Sequence, residues 1–476
     1  LADAPPTLSV LHWLREREGS TGTKEGCNQG DCGACTVVLV ESTPAGPHVH
    51  TANSCLLPMP MLHGRALFTV EDVGVASDLH PLQRALVEHG GSQCGFCTPG
   101  FVMSLWSAAE QGRIAGTTLS RDDIAESISG NLCRCTGYRP ILDAAFSAMS
   151  DAGPSAEVLL PSRLSTILVD LDGPGTLRMD SGNGGFVAPD TEDALAMELH
   201  ENPSGLVVSG GTDLMLAIRA NGHALRDDLT LVWTDRVSTL RQVEDSGNQL
   251  SIGATARLDE AWAALVVRAP GLERMHRRFA SPAIRSVGTI GGNVVNGSPI
   301  ADLTPVLIAL DAAVILRRAE GTRTVPLAEF GTGVRTSVLQ SGEFLSRIVI
   351  PMRSFGRDLR AYKVSRRFDD DIATVSATFA LALESQVITD VRVVFGGMAT
   401  TVRRAAATES ALRGREWNAQ ALADAQAALL SDFTPISDHR ATAHYRERAA
   451  AGLLHRWWLE TGVDTPAGSS DVWATP

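Results

Sequence analysis

Lysine is nearly absent from this chain: of 41 basic side chains only Lys24 and Lys363 are lysines, and the rest are arginine. Composition bias accounts for most of that skew, so the two that remain mark places where a compact ammonium suits and a planar guanidinium does not. Cysteine is absent beyond Cys135, although all eight lie within the first 135 residues, and that asymmetry marks a domain boundary. An excess of positive charge is missing too: 41 basic against 54 acidic side chains leave a net charge of −13. A nucleic-acid partner, which needs a basic surface to displace counterions, is excluded on that ground. No run of about 18 uncharged apolar residues exists; the longest candidate, 305–316, contains Asp311, so no membrane-spanning helix is expected. The first residues lack the basic start and apolar stretch of a signal peptide, and the expected location is cytoplasmic. The chain opens on leucine, and a missing N-terminal piece is expected.

What is present is 476 residues, 44% apolar and 20% charged, enough for about three soluble domains. The cysteines form two quartets. The first, Cys27-x4-Cys32-x2-Cys35 with Cys55 further on, has the spacing of plant-type [2Fe–2S] ferredoxins. Gly26, Gly30 and Gly33 between its members remove bulk and let backbone amides face thiolates. A buried strand is expected just after it, over 36–40. The second quartet is Cys94-x2-Cys97 and Cys133-x-Cys135. Helix signals surround it: 81–89 ends at Gly90, Pro99 opens an apolar-periodic run, Ser120 caps a segment closed by Gly130, and Pro140 starts another. Both stretches then sit before helix N-termini, as two corners of a four-helix bundle whose dipoles favour an anionic cluster. Disulfides do not suit a cytoplasmic chain, and inert core cysteines do not come as two tight sets. Spacing favours iron-sulfur over zinc for the first quartet and leaves the second open between the two.

Residues 151–180, rich in Gly, Pro, Ser and Asp, read as a surface linker. Beyond it, an apolar strand over 206–208 runs into Ser209-Gly-Gly-Thr-Asp213 and a helix-like segment, and a second glycine cluster begins at Gly288. Each pair of glycines alone is a tight turn more often than a phosphate site; together they suit a pyrophosphate cradled from two sides. Neither is the Rossmann Gly-x-Gly-x-x-Gly. Phe279 reads as core packing, and the acidic triplet Asp369 to Asp371 beside Arg366 and Arg367 reads as a solvated loop.

With both quartets and both glycine clusters in order, the chain resembles the small, iron-sulfur and flavin subunits of bacterial xanthine dehydrogenases, within the molybdenum hydroxylase family. The stretches that carry the resemblance are 23–37, 91–100, 130–138 and 289–293, and it runs over nearly the whole chain. It implies an α+β multidomain protein: a ferredoxin-like β-grasp [2Fe–2S] domain over 1–63, a four-helix-bundle [2Fe–2S] domain over 64–150 and the linker over 151–180. An α/β FAD-binding domain of the vanillyl-alcohol-oxidase and CO-dehydrogenase flavoprotein type follows over 181–353, then a C-terminal α/β flavoprotein domain over 354–476. It implies that Cys27, Cys32, Cys35 and Cys55 bind one cluster, and that Cys94, Cys97, Cys133 and Cys135 bind a second, nearer the molybdenum centre. It assigns Val207, Val208, Ser209, Gly210, Gly211, Thr212, Asp213 and Leu214 to one FAD loop, and Thr289, Ile290, Gly291, Gly292 and Asn293 to the opposing one. Asp302, Leu345 and Lys363 are further FAD positions, and Phe279 matches the ring beside the isoalloxazine.

No catalytic residue is then expected in this chain. A large partner subunit with a molybdopterin cofactor would hydroxylate hypoxanthine or xanthine, in a heterotetramer of two small and two large chains. Electrons would pass through two [2Fe–2S] clusters to FAD and NAD⁺. Two departures from the family stand out: no hairpin precedes the helix expected over 8–17, and Gly331-Thr-Gly-Val334 lacks a tyrosine often found there. An aldehyde- or N-heterocycle-hydroxylating relative, and a non-catalytic iron-sulfur redox sensor, are the alternative readings.

Overall fold

The structure is a computed structural model that describes residues 4–43, 45–152, 164–171, 173–180, 184–220 and 229–462. Strand Thr36–Thr43 pairs antiparallel with Gly46–Asn53 on one side and Arg65–Phe68 on the other. Its apolar run is continuous because both faces are buried. Val37 and Leu39 pack with Val10, Leu14, Phe186 and Trp233, whereas Val38 and Val40 pack with Leu105 and Trp106. The strand therefore belongs at once to the iron-sulfur half and to the flavin half.

Helices Pro81–Glu88, Thr98–Ala115, Arg121–Ser127 and Arg139–Ala152 form the bundle. Proline occupies the first turn of the first two, and Ser120 with Asp123 makes a capping box at the third. The stretch expected to be a linker is not one throughout. Helix Leu164–Leu171 packs Leu164 and Leu168, four residues apart, on the bundle core, and strand Leu177–Asp180 pairs with Gly185–Ala188. Apolar periodicity within a Gly- and Ser-rich stretch was the missed signal; residues 153–163 lie outside the described residues.

In the flavin half, Gly185–Ala188, Thr230–Trp233 and Leu206–Val208 run parallel in one four-stranded sheet whose antiparallel edge is Leu177–Asp180. A five-stranded antiparallel sheet contains Gln249–Gly253 and Phe344–Pro351 at its centre. The C-terminal part is a four-stranded antiparallel sheet with helices Ala406–Leu412, Ala419–Asp432 and Ala443–Thr461. Phe379, Trp417 and Trp457 fill the space between sheet and helices, and Ala380 and Val394 join the core beneath the second sheet. The whole is α+β and multidomain.

Where the halves meet lies a buried charge cluster. Arg257, 1% exposed, donates to Glu41 at 3.1 Å, to Asp235 at 2.8 Å and to the Val287 carbonyl at 3.0 Å. Arg65 bonds Glu41 at 2.8 Å and also pairs with Asp235, and Arg241 reaches Glu41 at 3.0 Å. Burial alone would raise the Glu41 carboxyl, but Arg65, Arg257, His50 and Arg241 outweigh it and hold it well below the carboxylate range. Glu41 therefore contributes stability above the ordinary carboxylate pKa and loses it as pH falls through its lower folded value. Replacing Arg257 by Met takes one of the cations away from two buried carboxylates, leaving Arg65 and Arg241 on Glu41 and Arg65 on Asp235, and should lower the unfolding free energy by about 3 kcal/mol, measured in urea. The advantage of wild type over Glu41→Gln should narrow below about pH 4.

Candidate functional site

The structure brings the eight thiols together as the two quartets. In the first, the thiol of Cys27 lies beside that of Cys32, and the thiol of Cys35 beside that of Cys55. Amides of Gln29 and Asp31 donate to Cys27 Sγ at 3.3 Å and that of Cys32 at 3.4 Å, while Cys27 N donates to Cys32 Sγ at 3.3 Å. This wrap depends on glycine: Gly30 and Gly33 are left-handed at φ +77° and +66°. The Cys27 thiol falls to about 5, chiefly through its interaction with the Cys32 side chain, which pushes the Cys32 thiol up in turn, so the pair favours one thiolate, on Cys27. In the second quartet Cys94 pairs with Cys135 and Cys97 with Cys133. Cys97 precedes the helix Thr98–Ala115, and Thr136 Oγ1 donates to Cys133 Sγ at 3.1 Å.

Each quartet thus presents two pairs of thiols. A two-iron cluster takes two thiolates per iron, and this pairing fits it.

The two glycine clusters abut. A Cβ on Gly210 would lie 2.2 Å from the Val287 carbonyl oxygen and 2.8 Å from Gly288 Cα, so the first loop needs glycine to reach the second. Beside this contact opens a cavity of about 770 Å³, a size suited to a large cofactor. All the residues of the first loop, Val207 through Leu214, line it, as do Thr289, Gly291, Gly292, Asn293, Phe279, Asp302, Leu345 and Lys363. Ile290 does not: it is fully buried in the hydrophobic core, because its side chain leaves the opposite side of its helix, Ile290–Asn296. Thr255 Oγ1, Asn293 Oδ1 and Asp302 Oδ1 are buried polar atoms without a partner on this lining, which fits a polar ligand.

Lys363 is a buried residue whose ammonium bonds Asp302 at 2.7 Å and the Arg278 carbonyl at 2.9 Å. Burial raises the Asp302 carboxyl, and the Lys363 ammonium only partly restores it. The acidic triplet departs from the solvated reading. Arg278 donates to the carbonyls of Lys363 and Phe368 and to Ser365 Oγ and stacks on the Phe368 ring, folding the loop inward. Asp370 and Asp371 then line the cavity, and burial together with nearby Asp31 pushes the Asp370 carboxyl up to about 7. At the loop without a tyrosine, Arg335 holds φ +54°, lies 3.4 Å from Asp213 and lines the cavity as well.

Gln29, Gly30 and Asp31 also line this cavity, so the first thiol loop is part of its wall. No periodicity or composition signal marked them; only the packing of two domains brings them there. The second quartet stands behind the first. Leu132 N donates to the Cys32 carbonyl at 3.0 Å, and Asn131 Nδ2 to the Gly33 carbonyl at 3.0 Å. Ser104 orients Asn131 through its Oδ1 at 2.7 Å.

Comparison with known proteins gives four domain families along the chain. They are a 2Fe-2S iron-sulfur cluster binding domain over 2–59, a [2Fe-2S] binding domain over 69–146, an FAD binding domain in molybdopterin dehydrogenase over 181–353, and a CO dehydrogenase flavoprotein C-terminal domain over 360–461. The chain is 31% identical over 537 aligned residues to xanthine dehydrogenase of Emericella nidulans, covering 99% of this chain and 38% of that one. It is 29% identical to aldehyde oxidase 3 of Rattus norvegicus, covering 96% and 38%. It thus spans well under half the length of these curated relatives. Carbon monoxide dehydrogenase from Hydrogenophaga pseudoflava superimposes with a TM-score of 0.53 at 26% identity over 57% of this chain and 94% of that one. Quinoline 2-oxidoreductase from Pseudomonas putida 86 shares the fold, with a TM-score of 0.53 at 23% identity over 57% and 94%. These matches define an iron-sulfur flavoprotein with two kinds of [2Fe–2S] domain. The chain belongs to the molybdenum hydroxylase family, as its iron-sulfur and FAD-binding part.

The close approach of the two glycine loops makes a sharp test. Gly210→Ala forces a methyl onto a backbone carbonyl and should cost about 1–3 kcal/mol and lower the FAD content of the purified protein, read from its absorbance, while the iron content stays unchanged.

Proposed function

We propose that this chain is the electron-transfer part of an NAD⁺-dependent xanthine dehydrogenase. It receives electrons from hydroxylation of hypoxanthine or xanthine at a molybdopterin cofactor on a separate large subunit and delivers them to NAD⁺. The observation that carries this reading is continuity: the loop of the first quartet is both a wall of the glycine-lined cavity and the backbone partner of the second quartet. Cys27, Cys32, Cys35 and Cys55 hold one [2Fe–2S] cluster, and Cys94, Cys97, Cys133 and Cys135 the other. Val207 to Leu214, Thr289, Gly291, Gly292 and Asn293 cradle the FAD pyrophosphate, Phe279 flanks the ring, and Asp302, Leu345 and Lys363 complete the pocket. Bound there, the clusters supply one-electron chemistry and the flavin joins it to two-electron chemistry. The chain's own part is to point amides at thiolates, to keep the Lys363–Asp302 pair dry, and to hold the two loops in contact.

Xanthine dehydrogenase is favoured by relatives of that name. An aldehyde or N-heterocycle substrate is the second reading, because aldehyde oxidase 3 and quinoline 2-oxidoreductase are similar too and the substrate pocket would lie on the partner. In this reading the molybdenum cofactor lies on a separate subunit, in a cytoplasmic heterotetramer of two small and two large chains; a division into separate chains is supported by the carbon monoxide dehydrogenase chain, 94% of which is covered by 57% of this one. No helix of the described residues is long and apolar enough to cross a membrane.

Native purification tests the proposal. Four irons, four labile sulfides and one FAD per chain, a molybdenum-bearing partner and urate formation are expected; zinc, or purine turnover by this chain alone, contradicts it. Cys94→Ser or Cys135→Ser should remove one electron paramagnetic resonance signal and leave the other. Lys363→Ala, which strands buried Asp302, should weaken FAD retention or slow NAD⁺ reduction, with dye-coupled purine oxidation largely kept. Unchanged FAD content and NAD⁺-linked rate would reduce Lys363 to a packing residue.

A further inference from the structure

Helix Leu214–Ala220 leaves the first glycine loop of the flavin cavity and runs straight toward the first thiol quartet. Its residues Met215 and Ile218 pack with Cys35, Cys55 and Leu56 in one apolar cluster. One turn from the cavity, Arg219 crosses to the iron-sulfur half. Its Nη1 donates to the carbonyl of Asn28 and its Nη2 to the carbonyl of Cys55. These acceptors stand at opposite ends of the quartet in sequence: Asn28 follows the first thiol, and Cys55 is the last. Asn28 is held left-handed at φ +54°, and its own side-chain oxygen is buried without a partner. The loop's own amides wrap onto Cys27 Sγ, and the guanidinium from the flavin half fastens the Asn28 carbonyl from outside.

A guanidinium stays charged at every accessible pH, and here it bonds the backbone of a thiol residue. Adding one electron to a [2Fe–2S] centre lowers its net charge by one, so a fixed cation close by favours the reduced form. We infer that Arg219 is a positioning residue that ties the ferredoxin-like cluster loop to the flavin-binding helix and raises the reduction potential of the centre in that loop. The inference rests on the cluster assignment proposed above. The charge makes this centre the better electron acceptor of the two, at the place where the electrons leave for the flavin cavity. A merely structural staple would change stability and leave the potential where it is.

The test is a potentiometric titration of the as-isolated holoprotein, followed by electron paramagnetic resonance, in wild type, Arg219→Gln and Arg219→Lys. Cys94→Ser identifies which signal belongs to the helical domain. Glutamine removes the charge and lysine keeps it. Arg219→Gln should move the reduction equilibrium of the ferredoxin-like signal about tenfold against reduction, which is about 59 mV for one electron. Arg219→Lys should stay near wild type, and the helical signal should not move in either variant. An unshifted Arg219→Gln, or equal shifts in both signals, overturns the inference. If Arg219→Gln loses the ferredoxin-like signal while Arg219→Lys keeps it at the wild-type potential, the requirement for charge stands. Loss in both variants makes Arg219 a folding staple and overturns the inference. Absence of two [2Fe–2S] signals from wild type would instead overturn the cluster assignment, so the two failures are distinct.

Discussion

The fully buried guanidinium of Arg257 is the joint on which the rest of the structure depends. With three donors it binds Glu41 on the central strand of the iron-sulfur half, Asp235 beside the parallel sheet, and the Val287 carbonyl. That carbonyl is the atom against which Gly210 packs. One side chain therefore fixes the strand leading from the first quartet, the approach of the two glycine loops and the angle between the halves. Such a cluster is poor value as stability alone, since desolvation offsets most of its attraction. Its contribution is a defined geometry, which electron transfer between held centres requires.

Around that joint the contacts run in one direction. Leu132 and Asn131 bring the helical quartet onto the backbone of the first, and the first quartet's loop forms a wall of the cavity. A neighbouring wall is the loop over 365–372, turned inward by Arg278. Charge is unevenly arranged across this space. Cationic Lys363 is spent on Asp302, while Asp370 is lifted toward neutrality by burial and Asp31.

The thiol quartets, the glycine loops and the helical bundle were legible in the sequence because each depends on local chemistry: a thiol spacing, a glycine that admits a backbone, a proline or serine at a helix start. The pairing of Cys27 with Cys32 and of Cys94 with Cys135 was not, since spacing does not say which two thiols lie side by side. The Ile290 side chain faces the core and not the cavity because a helix turns each consecutive residue of the motif by about 100°. The roles of Gln29, Gly30, Asp31, Asp370 and Arg335 in the cavity lining depend on domain packing, and the helix Leu164–Leu171 was hidden by its glycine-rich neighbours.

The first quartet stands between the cavity and the second quartet. Rapid-freeze electron paramagnetic resonance of the holoprotein mixed anaerobically with NADH, in wild type, Cys94→Ser and Cys27→Ser, tests whether electrons follow that order. NADH should reduce the ferredoxin-like centre at the wild-type rate in Cys94→Ser, whereas in Cys27→Ser the helical centre should be reduced far more slowly than in wild type. Reduction of the helical centre at an unchanged rate in Cys27→Ser would contradict that order.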